Sequence, residues 1–87
     1  MQRHQIDIDC PPAVVIEALN QLDQVDVNTA VEGRGLVTVR GGTGYVAGQG
    51  QGTRLRILDD AMPGGVDPIV DHLRACGYDV RHRVLGW

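Results

Sequence analysis

Residues 41–52 read Gly41-Gly42-Thr43-Gly44-Tyr45-Val46-Ala47-Gly48-Gln49-Gly50-Gln51-Gly52, and the reading of this run decides the architecture. Half of the chain's 12 glycines fall in it. Glycine loses the most backbone entropy in a regular element and tolerates positive φ, so the run reads as a long flexible hairpin loop. Gly42 to Ala47 matches G-x-G-x-x-G/A, the dinucleotide-binding fingerprint. Gly48 to Gly52, however, does not open the helix that the fingerprint requires. Long loops inside small domains are functional or disordered. The run is therefore expected to order against a partner, with Tyr45 and Val46 as its apolar anchor and Gln49 and Gln51 as uncharged amide donors and acceptors.

The flanking periodicities are clear. Gln5 to Cys10 alternates Ile6, Ile8 and Cys10 against Asp7 and Asp9, the period-two pattern of a half-buried strand. Pro11 and Pro12 end it and suit the first turn of a helix over 13–22, with Val15, Leu19 and Leu22 on one side. Gln24 to Val31 and Leu36 to Arg40 alternate around Gly33-Arg34-Gly35 and predict a hairpin or a bent strand. Thr53 to Leu58 is a further strand, and Asp59 to Gly65 a loop. Asp67 as N-cap, Pro68 in the first turn and Gly77 after the last bracket a helix carrying Ile69, Val70, Leu73 and Cys76. Tyr78 to Leu85 closes as a strand with Tyr78, Val80 and Val84 inward.

With residues 41–52 as a loop, the order is βαββαβ over a single domain, 1–87. The expected fold class is α+β: a ferredoxin-like two-layer sandwich, an antiparallel sheet with two helices on one face, and a long Gly-rich hairpin loop. A small SH3-like barrel over 36–58 is the alternative. In the sandwich the first strand is central. Asp7 and Asp9 then lie between Arg54 and Arg56 on one side and Arg81 and Arg83 on the other, giving an exposed sheet face of charge pairs.

Composition narrows the chemistry. All eight basic residues are arginine, there is no Lys, Ser or Phe, and the net charge is -3. A Ser nucleophile, a Schiff-base Lys and a P-loop Lys are excluded. An acidic balance argues against non-specific nucleic-acid binding. Without Phe, a base-stacking sheet has only Tyr45, Tyr78 and Trp87 to draw on. No apolar run is long enough to span a bilayer and the start lacks an apolar signal segment, so a cytoplasmic chain is expected.

Cys10 and Cys76 are too few for a disulfide framework and fit reduced, small apolar side chains. His4 and His82 fall near each other on adjacent strands. Asp9-Cys10-Pro11-Pro12-Ala13-Val14 and the Gly77-Tyr78-Asp79-Val80 turn resemble the heavy-metal-associated, copper-chaperone-like domains. Those domains place C-x-x-C between first strand and first helix. Here Ala13 stands at the second Cys, and residues 42–65 have no counterpart. The resemblance implies a ferredoxin-like fold. In that fold Cys10 ends the first strand and Cys76 the second helix, at one end of the domain, and a Cu(I)-type site from the two is the second reading.

The leading expectation is a small non-enzymatic interaction or assembly module, a phage or bacterial accessory protein being one setting. It needs no cofactor and acts on a protein partner or a second copy, through the Gly-rich loop and Trp87.

Overall fold

The computed structural model describes residues 2–23, 25–31, 34–39, 42–59 and 66–86. Trp87, Gly33, Gly41 and most of the expected 59–65 loop lie outside them. The described elements are β1 (Gln2–Ile8), α1 (Pro12–Leu19), β2 (Val25–Val31), β3 (Arg34–Val39), β4 (Gly42–Gln49), β5 (Gly52–Asp59), α2 (Asp67–Ala75) and β6 (Val80–Gly86). All six strands join one sheet in the order β2-β3-β4-β5-β1-β6, with every neighbouring pair antiparallel.

This corrects the ferredoxin-like βαββαβ expectation. Gly42 to Gln49 is a strand, not a loop: it pairs with β3 on one side and β5 on the other along its length. The long loop shrinks to Gly50-Gln51, with Gln49 opposite Gly52. Gly50 has φ 62° and Gln51 a negative φ. A two-residue turn with positive φ only at its first position is the II′ geometry, which matches the twist of the flanking strands. The alternation was present but masked. Gly44, Val46 and Gly48 point toward the helices, while Thr43, Tyr45, Ala47 and Gln49 point away. Two of the three inward positions carry no side chain, so the apolar stripe that marks a strand is missing. At Gly44 the reason is close approach: an added Cβ would lie 2.3 Å from the Arg56 carbonyl oxygen. Glycine inside a strand commonly marks such a contact.

Both helices pack on one face of the sheet. Ile6, Ile8, Val37, Val46, Leu55 and Ile57 from the strands meet Val15, Leu19, Ile69 and Leu73 from the helices, all essentially buried. Each such side chain contributes about 1.5–3 kcal/mol relative to exposure. Helix α1 begins on Pro12 after an extended Pro11. Helix α2 starts at Asp67 with Val66 as its cap residue, so the cap is one residue earlier than expected, and no side chain caps it. It ends as the sequence predicts. Gly77 has φ 93°, its N–H donates to the Arg74 carbonyl at 2.9 Å, and the Tyr78 N–H donates to Leu73 at 3.3 Å. These are the two bonds of a Schellman stop. Tyr78 then packs half-buried against the core. Val84, expected inward, is exposed at 53% on the edge strand β6. Among the described residues no helix is long and apolar enough to cross a membrane.

Candidate partner-binding face

The helices leave the other face of the sheet uncovered, and strand register determines what it presents. Leu36, Tyr45, Arg56, Gln5 and Arg83 follow one another across β3, β4, β5, β1 and β6. The next row on this face runs Arg34, Ala47, Arg54, Asp7 and Arg81. Arg3 lies one row to the other side, opposite Leu58. Six of the chain's eight arginines therefore share one face, with Asp7 and Asp26 the aspartates among its described side chains.

Asp7 is the centre of the charge pairing expected from the sequence. The Arg54 Nε donates to its Oδ1 at 2.9 Å, and the Gln5 amide donates to Oδ2 at 3.2 Å. Burial raises the carboxyl pKa. The Arg54 and Gln5 hydrogen bonds, with the charges of Arg54 and Arg81, outweigh this and hold it below 3.8. Asp9 does not join the ladder: β1 stops at Ile8, and Asp9 instead donates its backbone N–H to the Asp79 carbonyl at 3.0 Å. Arg56 and Arg83 flank Gln5 and have no carboxylate opposite them. Among the described residues this face therefore carries more arginines than carboxylates.

The same face is hollowed. A trough of about 540 Å³ lies over the backbone of Val37, Gly44, Ile57 and His4, walled by Leu36 and Tyr45 on one side and Leu58 and Arg3 on the other. Beyond Tyr45 a smaller hollow of about 210 Å³ is bounded by Gln49, Arg54 and Arg56. Leu36 and Tyr45 are 62% and 43% exposed. Tyr45 thus stands between the two hollows as an aromatic ridge. Of the residues singled out with it, Val46 is fully buried in the core, while Gln49 and Gln51 are exposed at the β4–β5 turn.

The sulfurs lie apart from this face. Cys10 is half-buried, and burial together with the Asp9 charge pushes its thiol pKa up. Cys76 is exposed at the end of α2. The Tyr78 pKa is raised by burial and then by the charges of Cys76, Cys10 and Glu17, which puts both cysteines in the neighbourhood of one phenol. Among the described residues no three His, Cys, Asp or Glu converge as metal ligands. The Cys76 Sγ is 3.9 Å from the His72 Nε2, one helical turn away. That nitrogen also lies 3.1 Å from the Ala18 carbonyl oxygen. A carbonyl only accepts, so Nε2 must carry its proton there and has no lone pair left to take one from the thiol.

His4 and His82 do meet, with Nδ1 and Nε2 at 3.1 Å and the rings stacked. One nitrogen must donate and the other accept, so both cannot be protonated across this contact. Burial lowers the His82 pKa below 6.5; His4 and Arg74 lower it further, and Asp67 opposes them. A depressed native pKa means that the unfolded chain takes up the proton first. The stability from this pair is complete above pH 6.5 and is lost as pH falls through the native pKa. The melting temperature of wild type is expected to drop by several degrees from about pH 7.5 to about pH 5, and that of His82→Gln to drop less. Parallel melting curves for the two proteins would refute this.

The signal that sequence reasoning missed is the segregation of charge. Four of the six arginines stand where the sequence put them; Arg3 and Arg34 join them because β1 starts at Gln2 and β3 at Arg34. Comparison with protein-family models, with curated proteins and with solved structures gives no match for this chain.

Proposed function

We propose that this protein is a non-enzymatic binding module whose uncovered sheet face receives an acidic polypeptide surface. The observation that carries the reading is the coincidence of six arginines with an apolar trough on one face of a chain whose net charge is -3. Charge at the rim steers and orients a partner, and the apolar trough supplies the desolvated centre where binding energy concentrates. A polypeptide is favoured over RNA because sheets that bind RNA stack bases on several aromatics, and Tyr45 is the aromatic in these rows. The Gly-rich segment takes part as this face's own strand, through Tyr45 and the exposed Gln49.

The test is an NMR titration with a peptide of alternating glutamate and leucine. Shifts are expected at Tyr45, Arg56 and Leu58 and not on α1 or α2. Arg56→Glu combined with Arg83→Glu is expected to weaken binding about 10- to 100-fold. Shifts confined to the helices, or affinity indifferent to the charge reversal, would reject the reading. Equal affinity for an RNA oligomer of the same charge would reject the polypeptide assignment.

A further inference from the structure

The remaining charges form a second pattern. Glu17, Asp67 and Asp71 are exposed on the two helices, and Asp9, Asp23 and Asp79 are exposed in the turns that join those helices to the sheet. Arg74 is the one arginine on this side among the described residues. Among the described residues, arginines thus predominate on the open sheet face and carboxylates on the helices and their connecting turns. Its shortest dimension is 24 Å, well beyond the Debye length of about 8 Å at physiological salt. The two faces therefore act on a neighbour as separate fields, and the small net charge does not describe either.

We infer that the acidic partner is a second copy of this chain, docked head to tail, with the α1–α2 layer of one copy on the arginine face of the next. This rests on the binding role proposed above for that face. Three observations favour the second copy. The signs are complementary: the arginine-rich sheet face would meet Glu17, Asp67 and Asp71 of the helices, with Asp9, Asp23 and Asp79 in the adjoining turns. The apolar parts are complementary too. Helix α1 exposes Ala13 and Val14, the latter at 37%, one turn before Glu17. That is the apolar–acidic spacing a trough with arginines beside it would take. Size is adequate as well. Six strands at about 4.8 Å spacing and about seven residues of 3.3 Å each span roughly 29 by 23 Å. That is near the ~800 Å² per partner of a stable interface.

Such an interface joins two different surfaces, so each copy keeps one free face and the contact propagates into a stack or a ring. This separates it from a two-fold dimer and gives the experiment. Two variants of the full chain are made, one reversed on the sheet (Arg56→Glu with Arg83→Glu) and one on the helices (Glu17→Arg with Asp71→Arg). All four side chains are exposed, and thermal melts report whether each variant folds. By sedimentation, wild-type mass should rise with protein concentration at low salt. It should fall to the monomer at about 1 M salt, where screening reaches about 3 Å; this arm needs no variant. Each variant alone should stay monomeric. Mixed in equal amounts they should associate into species heavier than either variant alone, since the intact acidic face of one meets the intact arginine face of the other.

A wild type that is monomeric at every concentration overturns the inference. So does a mixture that stays monomeric, or a helix variant that still self-associates. The glutamate–leucine peptide titrated into the helix variant distinguishes the failures. Retained binding there with no association in the mixture rejects self-assembly alone, and loss of both rejects the binding role of the face as well.

Discussion

Val46→Asp is expected to leave the protein unfolded at room temperature. Val46 is fully buried in β4, between Gly35 of β3 and Leu55 of β5 and beneath the helices. A carboxylate there has no cationic partner, because the arginines of these strands point to the opposite face. Leaving a charge unpaired in such a site costs several kcal/mol, of the order of the whole stability of a small domain. Val46→Ala removes two methyl groups and should cost about 2 kcal/mol, enough to follow by urea unfolding. Were residues 41–52 a solvated loop, both substitutions would be nearly silent in stability. Circular dichroism melts of the two variants therefore test the strand itself. A folded Val46→Asp protein with wild-type stability would refute β4.

Gly44→Val is the second large effect. The first carbon of any side chain at this position would sit 2.3 Å from the Arg56 carbonyl oxygen and 3.0 Å from Ile57 Cγ1. The neighbour is backbone of β5 and cannot rotate away. Either the β4–β5 ladder opens or the strand shifts. Overpacking of a well-packed interior costs about 1–3 kcal/mol, and loss of ladder hydrogen bonds adds to it. The expected result is a loss of about 3 kcal/mol or more in chemical denaturation. It should come with loss of the trough, since Gly44 lies on its floor. Gly44→Ala should already be destabilised, because the clash is with Cβ. An unchanged denaturation midpoint for either variant would show that β4 and β5 are not this close.

These two residues also explain where sequence reading stopped. The alternation in Gln5 to Cys10, in Val25 to Val31 and in Thr53 to Leu58 was legible because each inward position carries a side chain that wants burial. β4 has the same alternation, but its inward positions are largely glycine. Local propensity then favours a loop, and only the partner strands reveal why glycine is needed. The turn glycines behaved differently. Gly77 after helix α2 was legible as a stop, since positive φ at a helix end is a local requirement met by local bonds.

The candidate site was legible in part. Opposition of Asp7 to Arg54 and Arg81 followed from placing β1 between the strands now numbered β5 and β6, and the register agrees. Asp9 fell outside because β1 ends one residue after Asp7. The full extent of the arginine face was not legible. It depends on β3 and β4 extending the sheet and bringing Arg34 and the Tyr45 ridge into line with Arg54 and Arg56.

From composition and local pattern alone came the helices, the strands with occupied inward faces, and the excluded nucleophiles and phosphate loops. Each rests on interactions between residues close in sequence or on residue types that are simply absent. Tertiary structure alone decided that the Gly-rich run is a strand, that the sheet has six strands, and that an acidic chain displays an arginine face. Those outcomes hinge on pairing between distant segments. Pairing fixes the side on which every second residue points, and a glycine's role is visible only in the atom its missing side chain would have struck.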